Sequence, residues 1–537
     1  MKDISLTSDI YVLDQFVVPG EREGNALAIT QQRNAPNVKN VISADAFGMI
    51  VDENLGNFIQ RLPGIAMDEQ EGSMIYAKIR GIDSSMNAVT INGTRQPSGG
   101  TRGGLRRRFE LDTIPANFVE TIEVTKSPTP DMDADSIGGS INLRTKSALD
   151  RKGRMITYRV GGSYTLDGGN WGPLGSFMYS NRVGRNEQLG VMFTASFDDT
   201  ERARDVSLVN VWERTTDLDR PVYYHLTSHG EDAFDHVRAG LGLRLDYKVN
   251  ETTSIYGNVL YADTTSDMHR RRAVFRNVNL RVVDHFAANG VPRTASNQTA
   301  SILPGWTGPN GGGLITETAG HRFRYDQTLR NRWVKSWNFE AGGRKELEGG
   351  ELDLTVNYAR ARGWEQRYIV RPQVSGVGFR FDHSNEKRGS VATWEQISGP
   401  DILDSANFDF DSYSFNQDSK RDEIFGVMAN LRKSLNTEVP TYIKTGFRYR
   451  EQKPFRLLDR RPYAYTGGNI EKFLANGSAA DINPNLRFFD VPTIAAEFKS
   501  NPENFAENRV TRLRNQLRDD KQASETVGAA YFMGASS

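Results

Sequence analysis

From about residue 150 onward, apolar and polar positions alternate with a period of two. In 237–249 the odd positions are Val237, Ala239, Leu241, Leu243, Leu245, Tyr247 and Val249, and the even ones Arg238, Gly240, Gly242, Arg244, Asp246 and Lys248. In 351–358, Leu352, Leu354, Val356 and Tyr358 oppose Glu351, Asp353, Thr355 and Asn357. In 441–450, Ile443, Phe447 and Tyr449 oppose Lys444, Arg448 and Arg450. Each stretch reads as a strand with one apolar and one charged face. Applied throughout, the pattern predicts strands near 154–164, 174–183, 188–199, 237–249, 253–265, 331–345, 351–363, 422–435, 441–452 and 525–537. Tight turns at 184–187, 250–252, 346–350 and 436–440 alternate with long connections at 200–236, 266–330, 364–421 and 453–524. Short turns at one end and long loops at the other are the pattern of an outer-membrane barrel. Loops of that length are uncommon in a compact soluble domain.

The first 150 residues read differently. Residues 1–35 are polar and irregular apart from the β-prone island Ile10, Tyr11, Val12, Leu13, Phe16, Val17 and Val18, cut off by Pro19-Gly20. Leu55, Phe58, Ile59 and Leu62 fall at i, i+3, i+4 and i+7, the spacing of one helix face, and Pro63-Gly64 ends it. Strands follow at 77–81, at 88–91 running into the Asn92-Gly93 turn, at 118–124 and at 140–145.

Composition narrows the choice of partners. Lys and Arg number 67 against 67 Asp and Glu, which argues against a nucleic-acid binder. The 50 glycines, 27 Phe and 19 Tyr suit a turn-rich β protein. A barrel strand alternates lipid-facing and inward residues, so a mean hydropathy of -0.56 is compatible with crossing a membrane. There is no cysteine, which excludes disulfide and thiolate chemistry. Met1–Leu6 shows no charged stretch leading into an apolar run, so an export signal is expected to have been removed or to lie outside the sequence.

Several motifs over 36–147 occur in the order of a known family. They are Val41–Phe47 followed by Asn54–Ile65 with Leu62-Pro63-Gly64, then Ile79-Arg80-Gly81, then Val89–Arg95 around Asn92-Gly93. Ile114-Pro115 with Val119–Val124 and Ile137-Gly138-Gly139-Ser140-Ile141-Asn142 complete the series. Together they resemble the plug of TonB-dependent outer-membrane receptors. The resemblance implies a mainly β fold: a small α/β plug domain followed by an antiparallel transmembrane β-barrel. Boundaries are expected at 1–35 for a tail carrying a TonB box, 36–147 for the plug and 148–537 for the barrel. Plugged transporters use about 22 strands and ten are read here, so a partial barrel is expected, with the strands near 154–164 and 525–537 each unpaired on one side.

The resemblance further implies the function and its partners. The expected activity is uptake of a scarce nutrient, of the carbohydrate or ferric-siderophore class, across the outer membrane of a Gram-negative-type envelope. The expected partners are the TonB energy-transducing protein, outer-membrane lipid and a small nutrient ligand, with no nucleic acid, no cofactor and no enzymatic step. Residues 10–18 lie where the family keeps its TonB box, and an isolated extended segment suits strand addition to a partner's sheet. Arg80 and Lys126 occupy positions where family members carry plug cations that meet acidic wall residues. Lys126 stands where Arg is usual, which changes the geometry available there.

The Gly99–Arg108 loop, with Arg102, Arg106, Arg107 and Arg108, reads as an apical plug loop able to contact an anionic ligand. It lacks the Gly-Lys-Ser/Thr of a phosphate-binding loop. His225, His229 and His236 lack the spacing of a metalloenzyme site, and no paired carboxylates or nucleophile elbow stands out. The alternative reading is a soluble extracellular β-rich glycan-binding protein or glycoside hydrolase. In that case a second protein layer, not lipid, would cover the apolar strand faces.

Overall fold

The computed structural model describes residues 22–43, 54–102, 107–133, 136–150, 153–166, 170–213, 222–276, 301–302, 315–382, 393–410, 412–439, 441–478 and 485–536. The segment Ile10–Val18 and Arg106 lie outside the described residues.

Ahead of the plug sheet lies α1 (Arg22–Arg33), a helix where the sequence reads only as irregular tail. It is tied to the next strand through the Gln32 carboxamide oxygen, which accepts from Val41 N at 3.1 Å. β1 (Lys39–Ser43) is a strand, although its residues resemble the start of the family's opening helix. α2 (Leu55–Ile59) carries the predicted apolar face, with Leu55, Phe58, Ile59 and Leu62 all buried. Asn54 caps it, accepting from Gly56 N at 2.8 Å. Gly56 is there because a Cβ would stand 2.3 Å from the Met74 carbonyl.

The hairpin β2 (Ile65–Gln70) and β3 (Ser73–Ile79) follows, then β4 (Asn87–Ile91) and β5 (Thr94–Arg95) across the Asn92-Gly93 turn. Both turn residues have positive φ, as a tight hairpin of this type requires. β6 (Val119–Thr125) and β7 (Gly139–Thr145) complete a sheet in the order β1-β6-β7-β4-β5, in which only the β4–β7 pair is parallel.

The wall is built from long antiparallel strands: β8 (Met155–Thr165), β9 (Asn170–Val183), β10 (Leu189–Glu213), β11 (Val222–Lys248) and β12 (Thr253–Arg276). After the short β13 (Ser301–Ile302) come β14 (Ile315–Leu347) and β15 (Gly350–Val370). β16 (Gln373–Asp382) and β17 (Thr393–Ser398) form a loop hairpin before β18 (Tyr413–Leu435), β19 (Thr441–Gln452) and β20 (Phe455–Tyr465). The long last connection holds β21 (Leu474–Ser478), β22 (Arg487–Phe489), α3 (Val491–Ser500), β23 (Phe505–Glu507), α4 (Arg509–Asp519) and β24 (Lys521–Gln522). β25 (Glu525–Ser536) ends the series.

The ten predicted strands correspond to β8, β9, β10, β11, β12, β14, β15, β18, β19 and β25, hydrogen-bonded in that order. Among the described residues β8 pairs with β9 and β25 with β19, and the two ends of the row are not joined.

The strands run far past the lengths that alternation predicts. β10 reaches Glu213, β12 reaches Arg276 and β14 starts at Ile315, so much of each expected loop is ladder. The reason lies on the outward face. Nearer the tight turns that face carries exposed Leu241, Leu243, Leu245, Trp337, Phe339, Leu352 and Leu354. Farther along, the same parity carries Asp199, Glu201, Asp235 and Asp267, with Asp235 opposite both Glu201 and Asp267. Hydrogen bonding continues while the apolar signal stops.

Beyond that level the outward face of β12, β14, β15 and β18 is covered by loop elements. Phe323 and Tyr325 share the parity of Trp337 and Phe339 but are fully buried. Tyr325 stacks on Phe408 at 5.4 Å, Phe275 meets Phe379 edge-on at 4.9 Å, and Tyr413 packs on Phe505 at 4.9 Å. These rings form the larger of two main apolar clusters. The other is the plug core, which also takes in Leu260 of β12.

Candidate functional site: the seam between plug and wall

The inward face of the wall is the one carrying even-numbered residues on β10, β11, β12, β14 and β18, and the plug is wedged against it. The β2–β3 hairpin turns at Glu71-Gly72, both with positive φ. This turn delivers the Glu71 carboxylate to the wall, where it accepts from Arg330 Nη2 at 2.9 Å and also pairs with Arg330 Nη1. From the plug side Arg102 donates to the same carboxylate, with Nε at 3.1 Å. Arg102 also donates to Asp112 Oδ2 at 3.2 Å and lies 3.7 Å from Glu110 Oε2. Glu110 in turn accepts from the Tyr76 hydroxyl at 3.0 Å. Burial pushes the Glu71 carboxyl upward, but the Arg102 and Arg330 guanidiniums outweigh it and hold it well below the usual carboxylate range. For Tyr76, burial is the main cause of an upward shift, with the Glu110 charge adding to it.

A second clasp joins the acidic segment after Lys126 to β19. Lys444 Nζ lies 2.6 Å from Asp131 Oδ2, while Arg448 and Arg450 reach the two oxygens of Asp133 at 3.1 and 3.0 Å. In both clasps the plug supplies the acid and the wall the base. Polar contacts fill the rest of the seam. Asn338 donates to the Gln96 carboxamide at 2.9 Å, Thr101 to Glu365 at 3.0 Å, and Ser98 N to Asp422 at 2.9 Å. The Asn92 turn donates to Glu340 Oε1 at 3.1 Å.

The residues singled out from sequence distribute themselves over different tasks. Arg80 donates from Nη2 to the Gly138 carbonyl at 3.1 Å, inside the plug, and has positive φ. The Lys126 backbone N–H bonds the Val38 carbonyl at 2.9 Å, and its ammonium lies near Gly64. Arg102 is buried among Glu71, Glu110 and Asp112. Arg108 pairs with Asp83 at 2.6 Å and lies over the Tyr76 ring, while Arg107 pairs with Glu525 of β25. Arg107 and Arg108 also line a cavity with Arg95, Lys420 and Asp422. The described part of the glycine loop is a close-packed wedge: a Cβ on Gly99 would stand 2.9 Å from Val334, and one on Gly100 about 2 Å from the Glu110 carboxylate.

His229 and His236 sit on opposite faces of β11. His229 Nδ1 is 3.2 Å from the Ser207 hydroxyl, and His236 Nε2 is 3.3 Å from the Glu71 carbonyl. The side chain of His225 lies outside the described residues.

Sequence reasoning missed Glu71, Asp131, Asp133 and Arg330. The alternation in 441–450 did expose Lys444, Arg448 and Arg450 as a basic face, and an acidic run is visible at 131–135. Nothing in either stretch says that the two meet.

The arrangement is that of a plug: a small mixed α/β unit seated by ion pairs on the inward face of a long antiparallel wall. Residues 31–140 match the family model of the TonB-dependent receptor plug domain. No curated protein matches it in sequence. Among solved structures it is similar to a mutant of the ferric enterobactin receptor PfeA from Pseudomonas aeruginosa, at 10% identity and TM-score 0.35, over 80% of this chain and 79% of that one. It is also similar to the siderophore receptor PirA from Acinetobacter baumannii, at 10% identity and TM-score 0.28, over 82% and 73%.

Proposed function

We propose that this receptor takes up a scarce small nutrient, of the carbohydrate or ferric-siderophore class, across the outer membrane without covalent chemistry. The observation that carries the reading is the plug seated by breakable ion pairs against the inward face of the wall. Exposed Leu241, Leu243, Leu352 and Leu354 on the outward face supply the surface that lipid would cover. Ligand binds on the inward side above the plug, where Arg107 and Arg108 border the cavity shared with Arg95 and Lys420. A pull by TonB on Ile10–Val18 then shifts the plug and opens a path. Domain limits of 1–35, 36–147 and 148–537 suit this division of labour.

The test is a deletion of residues 10–18 in cells that depend on this receptor for the nutrient. Uptake is expected to stop while ligand binding and plug folding persist, because the segment precedes the plug. Transport at the normal rate after deletion would refute the reading.

A further inference from the structure

On β11, Asp232 is completely buried and faces inward. Its carboxylate accepts from three guanidiniums: Arg204 Nη2 at 3.1 Å, Arg270 Nε at 2.9 Å and Nη2 at 3.2 Å, and Arg272 Nε at 3.0 Å. Arg204 of β10 and Arg270 of β12 are its direct cross-strand partners, and Arg272 stands one inward position farther along. One carboxylate among three guanidiniums leaves two positive charges uncompensated within the cluster. Arg272 stands between Gly230 of β11, which has no side chain, and Asp326 of β14, whose carboxylate accepts from Arg371 at 3.1 Å. Arg204 is 44% exposed and lies over the Phe234 ring at 5.4 Å, so its fork is oriented without being sealed off.

The cluster lies about 13 Å beyond the plug tip, taking four residues at ~3.3 Å each from His236, which touches Glu71. Toward the plug two further arginines of β14 face inward. Arg330 meets the plug at Glu71, and Arg332 is buried with its three guanidinium nitrogens making no hydrogen bond among the described residues. The carboxylate nearest to Arg332 is Glu110, at 4.0 Å. Around Asp232 guanidiniums outnumber the carboxylate, and such a local positive excess draws anionic ligands.

We propose that Arg204, Arg270 and Arg272, held by Asp232, form a binding site for a small soluble molecule bearing several oxyanion groups, carboxylate or phosphate. Asp232 acts as the positioning residue: it orients three forks whose remaining N–H groups face the space above the plug. Guanidinium forks suit bidentate pairing with such groups, whereas a neutral sugar would draw nothing from the excess charge. The inference deepens the uptake reading by naming a ligand chemistry, and rests on it only for the role of the space above the plug.

The experiment is equilibrium titration of the purified chain in detergent, without any energy-transducing partner. The probes are citrate and pyrophosphate, with maltohexaose as the neutral comparison. Citrate or pyrophosphate should bind, more weakly as NaCl rises, and maltohexaose should not compete. Arg204→Gln with Arg272→Gln should weaken binding about tenfold or more, since each change removes charge-assisted hydrogen bonds. Arg271→Gln removes the same charge from the outward face, where Arg271 pairs with Glu231 at 2.8 Å, and should leave binding unchanged. Should the double variant misfold, Arg204→Lys keeps the charge but loses the fork, and should weaken binding severalfold. Binding that is absent for both anions, or equally affected by the inward and outward substitutions, overturns the proposal. Those outcomes leave the uptake reading standing, because that reading is judged by transport after deletion of residues 10–18.

Discussion

Glu71 of the plug and Arg330 of β14, 259 positions apart in the chain, face each other with Oε2 and Nη2 2.9 Å apart, Arg330 fully buried and Glu71 mostly so. Removing one charge from a buried pair leaves the other uncompensated, at a cost of about 3–5 kcal/mol. Glu71→Gln would strand Arg330, with Arg332 close by, and leave Arg102 only Asp112 and Glu110. We predict that this variant loosens the plug, measured as faster amide exchange in β2 and β3 with little change in β8 and β9. Unchanged exchange in the hairpin would show that the pair does not hold it.

The same carboxyl gives a pH dependence with a definite sign. Its pKa in the folded protein lies well below its unfolded value of about 4.3, so the stabilisation is fully present above that value. It is lost as pH falls through the depressed folded pKa. Asp131, where burial raises but Lys444 lowers the pKa with a net downward shift, acts in the same direction. Plug protection should therefore stay level through neutral and mildly acidic pH and drop only in strong acid, and Glu71→Gln should flatten part of that drop. A loss centred near pH 6 would contradict the assignment.

The clasp on β19 is testable by a double-mutant cycle. Asp133 holds both Arg448 and Arg450, so Asp133→Asn and Arg450→Gln should not be additive. A coupling of about 0.5–3 kcal/mol is expected for groups in direct contact. Proteolysis rates within 126–139 provide the measurement, and strict additivity would mean the two residues do not interact in solution.

Space alone separates two glycines. Gly56→Ala would drive a Cβ to within 2.3 Å of the Met74 carbonyl, a backbone atom that cannot swing away, and should cost about 1–3 kcal/mol. Gly257→Ala on β12 meets nothing within 4 Å and should change stability little. Thermal unfolding of the two variants should differ clearly, and equal midpoints would sink the packing argument for α2.

How much was legible follows from what each face of a strand touches. The odd positions of 237–249 announced a strand because an apolar surface on one side requires an apolar residue at every second place. Past Val237 the outward positions are Asp235, Ala233 and Glu231, and alternation could not say that the ladder continued. Leu55, Phe58, Ile59 and Leu62 were legible because the helix spacing and its Pro-Gly stop agree. The seam was not. Glu71 reads as an ordinary turn residue beside Gly72, and Arg102 reads as one of four exposed cations. Only tertiary proximity to Asp112 and Arg330 separates Arg102 from Arg107 and Arg108.

The order of strands in the plug sheet has a mechanical consequence. β1 is its outermost member, bonded to β6 alone through five residue pairs that begin at Lys39 and Thr125. Tension applied ahead of Lys39 and across the strand axis therefore loads one rung at a time, like a seam ripped from its first stitch. The β6-β7-β4 centre carries no strain until all five rungs have parted. A force–extension trace taken from that end should open with one short, low-force lengthening before the rest of the unit yields.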